Sequence, residues 1–227
     1  WWSCKSTKAQ RRVGKEKIKK ERVLVEFVSS NPTGPLHIGH ARGAVLGNII
    51  SNLLSNQGYE VTKEYYVNDA GRQINILALS IMLETFQNNI NKEGLYQGDY
   101  IKDLAKKFMA AKFVNEVNNP LEKFSDDPDE RIDQLISHYK KDSPETWNLI
   151  RDFSVNEMIK LIKDDLSRME ILHDEWFYES SLGSIEKKDS SVAKALDEIV
   201  KSKNTFEKDG AIWFEGTNMG MIKTEFY

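Results

Sequence analysis

The feature that most constrains this chain is a proline- and glycine-containing turn, NPTGPLHIGH at residues 31–40, between two apolar runs. The run before it, VLVEFV, is rich in valine and phenylalanine and predicts a buried β-strand. A second strand is predicted for YEVTKEYYV, so residues 22–67 predict a parallel, right-handed βαβ unit. The helix between the strands is predicted to stop near Gly58, and its apolar residues recur at helical spacing: Val45, Leu46, Ile49, Ile50, Leu53 and Leu54.

After residue 70 the sequence changes to mostly helical patterns, interrupted by an acidic, proline-containing loop at 119–130. A short strand is predicted within 173–182, and FEKDGAIWFEGT predicts a hairpin with Asp-Gly at its turn. The expected fold class is therefore α/β: one parallel βαβ unit, then a mostly helical block, then a small β element. The predicted helices cover residues 71–90, 99–117, 131–142, 145–171 and 191–204.

Charge is unevenly distributed along the chain. The net charge is −3, but residues 1–22 hold nine Lys or Arg against two Glu, a net +7, which leaves −10 on the remainder. A basic arm on an acidic body is typical of nucleic-acid contact, and also of a solvated terminus. No apolar run of about 18 residues predicts a membrane span. For the same reason we expect no membrane partner. Cys4 is the single cysteine, so no intrachain disulfide can form and we expect a cytoplasmic protein.

The turn itself predicts an anion site. Where a strand leads through a glycine-bearing loop into a helix, free backbone N–H groups and the positive end of the helix dipole face the ligand. Gly34 and Gly39 lack side chains, so a ligand can approach the backbone closely. His37 and His40, three residues apart, share one face of the first turn and can donate hydrogen bonds to phosphate oxygens.

Two other interpretations of the histidine pair stay open. One is a pair of surface histidines at a helix start, and the other is a metal site. Against the metal site, the remaining histidines, His138 and His173, lie far along the chain. Neither a cysteine cluster nor an H-E-x-x-H motif accompanies them, so no metal ligand is predicted.

At these residues the sequence resembles the HIGH signature of class I aminoacyl-tRNA synthetases, with His37-Ile38-Gly39-His40 as a literal match. The longer run VLVEFVSSNPTGPLHIGHARGAVLGN resembles arginyl-tRNA synthetases in particular, as do segments at 65–74, 96–101 and 209–217. Ser30 departs from the pattern, where proline is more usual. The resemblance, from about residue 22 to 218, implies half of a Rossmann-like class I synthetase nucleotide-binding fold with a mostly helical insertion.

The resemblance also implies a reaction. Arginine and ATP, with Mg²⁺, would form arginyl-adenylate, and the arginyl group would pass to the 3′ end of tRNA(Arg), in a monomeric enzyme. A non-catalytic fragment that binds ATP or tRNA, or a nucleotidylyltransferase of related fold, are the alternatives. The implied site residues are His37 and His40 on the ATP phosphates as the catalytic groups, Gly34 and Gly39 in the ATP site, and Glu26, Ser29 and Asn31 at the α-amino end of arginine.

Other residues leave their roles open. Asn68 and Asp69 follow the second strand, at the end where ligands of α/β folds bind. Asp69 could face the substrate or cap the next helix. The stripe from Trp176 to Tyr178 and the aromatic residues of AIWF are expected to pack in the core rather than stack on bases.

The expected domain organisation has three parts. Residues 1–21 form the basic arm, 22–75 the first half of the nucleotide-binding domain, and 76–227 the connective insertion with the start of a return to the catalytic domain. A KMSKS-type lysine loop and an anticodon-binding domain are not recognisable in the sequence. We therefore expect that the isolated chain does not charge tRNA at a useful rate.

Overall fold

The computed structural model describes residues 21–86, 90–111, 117, 124–184, 187–202, 204–208 and 211–214. It divides into two compact units, Trp1–Tyr178 and Glu179–Tyr227. The predicted basic arm, apart from its last residue, and the Asp-Gly of the predicted hairpin turn lie outside the described residues.

The first unit is built on a three-stranded parallel sheet in the order β1-β2-β3, with β1 at Arg22–Glu26, β2 at Glu60–Val67 and β3 at Glu175–Tyr178. Helix α1, Ile38–Asn56, connects β1 to β2, which pair in parallel. The predicted βαβ unit is therefore confirmed. The predicted helix stop is also confirmed, because Gly58 has φ +88°, a left-handed conformation that glycine adopts readily after a helix.

Helix α1 buries its small side chains rather than its large ones. Ala44, Gly47 and Ser51 are buried, and Gly47 lies so close to the sheet that a Cβ there would be 2.2 Å from Cγ of Phe27. The large apolar residues whose spacing predicts the helix lie on the exposed side, where Leu53 is 59% exposed. Periodicity therefore predicted the helix but not the face that it buries.

The described part of the first unit contains four further helices: α2 at Gly71–Thr85, α3 at Asp99–Ala110, α4 at Pro128–Asp142 and α5 at Pro144–Arg168. Asp127 caps α4 by accepting a hydrogen bond from the N–H of Glu130, and Pro128 takes the first helical position, where no N–H is needed.

The 25-residue helix α5 joins the two apolar cores of this unit. Trp147 and Ile150 lie in a core formed with α2, α3 and α4. Further along, Ile159 and Leu166 lie in a second core, which packs against Tyr65 on one face of the sheet. The sheet and the helical block are therefore held together by one continuous helix.

The aromatic stripe of β3 packs as expected. Trp176 stacks on Tyr65 with ring centroids 4.3 Å apart, and Trp176 and Tyr178 both contact the core under the sheet. Phe177 points to the other face and lies 5.7 Å from the ring of Tyr66. Core packing is therefore confirmed for Trp176 and Tyr178.

The second unit holds a short 3-10 helix at Glu179–Leu182, helix α6 at Ser191–Lys201, and strands β4 and β5 at Thr205–Lys208 and Ala211–Phe214. The two strands pair antiparallel, which confirms the predicted hairpin. The prediction that its AIWF aromatic residues lie in a core is wrong, because Trp213 is 51% and Phe214 45% exposed. Trp213 stacks on Phe206 at 6.4 Å across the hairpin, so these rings pack within the two strands instead.

No helix in the described ranges has the length and apolar content that crossing a membrane requires.

Candidate nucleotide and amino-acid site

The turn after β1 has a strained backbone. Val28 and Ser29 both have positive φ, 70° and 39°, a region that residues other than glycine rarely adopt and β-branched valine least of all. Side-chain contacts hold this conformation, since Ser29 Oγ accepts a hydrogen bond of 3.1 Å from the N–H of Tyr66 in β2. Strain of this kind persists only where surrounding contacts determine it, and it clusters at functional sites.

The next residues of the turn are tied to β2 and α2. The Tyr65 hydroxyl donates to the carbonyl of Ser30 at 2.9 Å and lies 2.8 Å from Ser30 Oγ. Burial raises the pKa of Tyr65, so this hydroxyl stays protonated and keeps its donor role. Asn31 Nδ2 donates to Oε1 of Gln73 at 2.6 Å, which places the turn beside the first turn of α2. The sequence did not single out Tyr65 or Gln73, because neither contact follows from spacing along the chain.

The side chains of His37 and His40 both accept hydrogen bonds from backbone N–H groups at the N-terminus of α1. His37 is the capping residue, and its Nδ1 accepts a hydrogen bond of 3.1 Å from the N–H of Gly39. His40 Nδ1 accepts from the N–H of His37 at 3.2 Å. The two rings stack with centroids 3.7 Å apart. His37 is exposed and His40 partly exposed, so neither ring is packed inside the apolar core.

This bonding pattern determines which ring nitrogens can donate. An imidazole nitrogen that accepts a backbone hydrogen bond carries no proton, so a neutral ring holds its proton on the other nitrogen. Both His37 and His40 therefore carry Nε2–H when neutral. Desolvation lowers the pKa of His40, and the neighbouring His37 lowers it further, which keeps His40 neutral near pH 7. The site thus offers two stacked Nε2–H donors at a helix N-terminus.

Gly34 and Gly39 differ in how much space surrounds them. A Cβ at Gly39 would lie 2.9 Å from Cε1 of His37, so a larger residue there would force the His37 ring to shift. A Cβ at Gly34 would meet the Tyr100 side chain, 3.7 Å from its hydroxyl oxygen and 3.9 Å from Cζ, which are ordinary contacts. Tyr100 also donates to the carbonyl of Thr33 at 3.1 Å, which ties the turn to α3.

A row of three carboxylates crosses the sheet face opposite α1 and α5. Glu26 pairs in register with Glu64, and Glu64 with Glu175, so the three side chains are neighbours on adjacent strands. Burial raises the pKa of Glu64, and the charges of Glu175 and Glu26 raise it further. None of the three forms an ion pair with another described residue. Sequence analysis found Glu26 but missed Glu64 and Glu175, because strand register is not visible in the sequence.

Asn68 and Asp69 lie between β2 and α2, at the same end of the sheet as the β1–α1 turn. The N-terminal cap of α2 is Ala70, which makes no side-chain capping bond, so Asp69 is not the capping residue. The carbonyl of Asp69 accepts a hydrogen bond of 2.8 Å from Nη2 of Arg151 in α5. The contact anchors this loop to the helical block.

Comparison with known proteins gives one consistent result. Residues 5–222 match the family model described as tRNA synthetases class I (R), catalytic domain. The chain is 40% identical over 212 residues to the arginine–tRNA ligase of Vesicomyosocius okutanii, covering 88% of this chain and 36% of that protein. It is 36% identical to the Coxiella burnetii enzyme of the same name, covering 94% of this chain and 38% of that one.

Comparison with solved structures points to the same family. A structure described as an arginyl-tRNA synthetase from Campylobacter jejuni matches with a TM-score of 0.66 and 34% identity, over 92% of this chain and 41% of that one. The Thermus thermophilus arginyl-tRNA synthetase, at 20% identity and a TM-score of 0.58, shares the fold. This chain spans 36% to 38% of the length of the curated relatives named above. With its parallel Rossmann-like sheet and the HIGH turn at the start of α1, the chain belongs to the family of class I arginyl-tRNA synthetase catalytic domains.

Proposed function

We propose that this chain is the part of an arginine–tRNA ligase that binds ATP and L-arginine for the formation of arginyl-adenylate. In the complete reaction the arginyl group then passes to the 3′ end of tRNA(Arg). The observation that carries the proposal is the pair of Nε2–H donors on His37 and His40 at the N-terminus of α1. Because the attacking group is a carboxylate, the reaction needs orientation and charge stabilisation rather than a general base.

The ATP phosphates would lie at the first turn of α1. Two imidazole Nε2–H donors and the helix dipole together favour negative charge, and more so as charge grows on the phosphorus centre. An open groove of about 1040 Å³ begins at Ile38 and Gly39 and follows the apolar outer side of α1 past Val45 and Ile49. This groove supports placement of the adenine beside the Gly39 backbone, with Gly34 facing the phosphates.

Arginine would lie beside the carboxyl end of β1, with Glu26, Ser29 and Asn31 at its α-amino end. The carboxylate row supports a cationic substrate, because Glu64 and Glu175 add negative potential next to Glu26. Asn68 and Asp69 would face the substrate from the neighbouring strand end.

Mg²⁺ would enter bound to the ATP phosphates, as is usual for this ion. Among the described residues, no group of three or more His, Cys, Asp or Glu side chains is arranged to hold a metal. The proposed enzyme acts as a monomer in the cytoplasm. We retain residues 22–75 as the first half of its nucleotide-binding domain and 76–227 as the insertion and return.

Calorimetric titration of the chain with Mg-ATP tests the proposal. His40→Ala should weaken ATP binding by about 10- to 100-fold, because a hydrogen bond to a charged group contributes about 1.5–3 kcal/mol. His138→Gln, in α4, is the matched control and should bind ATP normally. Equal affinity in the His40 variant and the control would contradict the phosphate role.

A titration with L-arginine separates the enzyme classes. Glu26→Gln should weaken arginine binding and leave ATP binding unchanged, since the carboxylate faces the amino acid. A nucleotidylyltransferase would bind ATP without any response to arginine. Absence of arginine binding to a chain that binds ATP would therefore favour that alternative.

A further inference from the structure

A second polar pocket lies between α2, α4 and α5, outside the ATP site described above. Its volume is about 350 Å³, and its polar lining comes from Asn75, Lys140, Asn148 and Arg151. Gly71, the first residue of α2, Pro144 and the buried Trp147 form the rest of its lining. The pocket therefore combines two cationic and two amide side chains with an apolar wall.

The lining contains no Asp or Glu side chain. A larger cavity of about 630 Å³ on another side of α4 shows the contrast, because Lys141 there lies beside Asp133 and Asp142. Adjacent lysines of one helix thus face opposite electrostatic environments. Of these two pockets, the smaller one places Lys140, which forms no ion pair with a described residue, beside Arg151 without an acidic side chain in its lining.

Arg151 and Lys140 are held in different ways. Arg151 Nη2 donates to the Asp69 carbonyl at 2.8 Å, and its Nη1 lies 3.4 Å from the exposed carboxylate of Asp152. Lys140 lies in the last turn of α4 with Nζ 5.9 Å from the centroid of the Trp147 ring, and none of the described ion pairs includes it. Lys140 is therefore the charge most available to a ligand.

We propose that this pocket binds a phosphate group of the tRNA, an inference that rests on the proposed function. The ATP phosphates already have a place at α1, so this pocket serves a different phosphate. The Asn31–Gln73 hydrogen bond puts the first turn of α2 beside the β1–α1 turn, and Gly71 in that same turn lines the pocket. A tRNA end that reaches the adenylate would thus pass close to it.

The overall charge of the chain favours RNA binding through local positive clusters. At net −3 the chain repels RNA on average, so binding depends on clusters such as the basic residues 1–22 and this pocket. Amide side chains such as Asn75 and Asn148 add neutral donors to phosphate oxygens without further charge. The pocket recognises phosphate and sugar rather than base sequence.

Fluorescence anisotropy with a fluorescein-labelled tRNA(Arg) transcript tests the proposal in the 227-residue chain, over a range of salt concentrations. Lys140→Gln should weaken binding by about three- to tenfold at low salt and reduce the slope of log K against log salt by about 1. Lys141→Gln removes the same charge one residue away and should change neither quantity. Lys140→Arg should restore both, and thermal melts confirm that all variants fold.

Each other outcome overturns the proposal. Equal effects of Lys140→Gln and Lys141→Gln would show only general electrostatic attraction, and a wild-type chain that binds no tRNA would remove the RNA partner. If Lys140→Gln weakens binding of ATP or pyrophosphate instead, the pocket holds a nucleotide phosphate. In the first two cases, ATP and arginine titrations that still respond to His40→Ala and Glu26→Gln would leave the proposed function standing.

Discussion

At the scale of single residues, two imidazoles do what serine, threonine or aspartate usually does at a helix start. An N-terminal cap needs an acceptor for a free backbone N–H, and Nδ1 of His37 and of His40 each supplies one. The consequence is chemical as well as structural, because the capping bonds leave the proton on both Nε2 atoms. The sequence predicted a phosphate role for both residues, but not this bonding, which depends on side-chain rotamers.

Gly39→Ala tests whether Gly39 acts through His37 or through the nucleotide. A Cβ would lie 2.9 Å from Cε1 and 3.0 Å from Nδ1 of His37, so the ring must shift, and we expect its capping bond to be lost. We expect ATP affinity, measured by calorimetry, to fall by about tenfold, the loss of roughly one such hydrogen bond. The free energy of unfolding should change little. The lost capping bond destabilises the helix, but alanine is favoured over glycine within a helix by about 0.5–1 kcal/mol, which offsets that loss.

The double variant with His37→Ala separates the two causes. If Gly39 serves only to accommodate the ring, Gly39→Ala adds nothing once His37 is alanine. A further loss of ATP affinity in the double variant would support direct contact between the Gly39 backbone and the adenine. ATP affinity that is unchanged in the single Gly39 variant would contradict both roles.

At the scale of elements, the position of α1 follows from its small residues. Ala44 and Gly47 let the helix approach Phe27 closely, and Ser51 satisfies its hydroxyl by donating to the Gly47 carbonyl at 2.8 Å. Lys63 of β2 also contacts α1, because its Nζ donates hydrogen bonds to the side-chain oxygens of Asn48 and Asn52. Close approach fixes where the helix begins, and therefore where His37 and His40 stand relative to β1.

Two glycines of α1 provide a matched pair for testing this packing. Gly47→Ala would place a Cβ 2.2 Å from Phe27 Cγ, and overpacking of this kind typically costs about 1–3 kcal/mol. A Cβ at Gly43 would meet nothing within 4 Å, so Gly43→Ala should stabilise the helix by about 0.5–1 kcal/mol. Urea unfolding of both variants checks the prediction. Stabilisation by both substitutions would show that α1 does not depend on close contact with Phe27.

What the sequence predicted at this scale was the kind of element rather than its surroundings. Periodicity and turn residues predicted the parallel pairing of β1 with β2, the helices, and the hairpin of the second unit. The carboxylate row depends on strand register, which sequences far apart in the chain set jointly, so Glu64 and Glu175 were missed. Exposure also depends on neighbours: Trp176 packs on Tyr65 and the core that includes α5, whereas Trp213, among the described residues, stacks on Phe206 of the partner strand and stays half exposed.

At the scale of the whole first unit, one histidine contacts residues from all three strand regions. The His173 ring lies 4.3 Å from Phe27, 5.4 Å from Tyr65 and 5.6 Å from Trp176, measured between centroids. Its Nε2 is 3.3 Å from the carbonyl of Phe27, while Nδ1 is buried without a hydrogen-bond partner. A proton on Nδ1 would therefore lie in an apolar environment, between the strands and the core that packs on them.

This placement predicts a pH dependence of stability for the unit. Desolvation lowers the pKa of His173, and Lys63 adds to that effect, while the Phe27 carbonyl and Asp174 oppose it. Between the lowered pKa and the ordinary value of about 6.5, the unfolded chain binds more protons than the folded one, so stability is lost as pH falls. The pKa of His40 is lowered too and adds a change of the same sign, so wild type alone cannot assign the effect to His173.

Urea unfolding of wild type, His173→Gln and His40→Gln should therefore be compared at about pH 7.5 and about pH 5.5. Both pH values lie above the ordinary pKa of Asp and Glu, so most carboxylates stay ionised. Wild type should lose stability at the lower pH, by no more than about 1.4 kcal/mol per pH unit for each histidine. His173→Gln should lower stability at both pH values, because the ring packs against three aromatic residues, but the loss between them should shrink. His40→Gln should retain most of the loss, since His40 lies at the solvent-facing turn. An undiminished pH dependence in His173→Gln would show that protonation of this ring is not what weakens the folded sheet in acid.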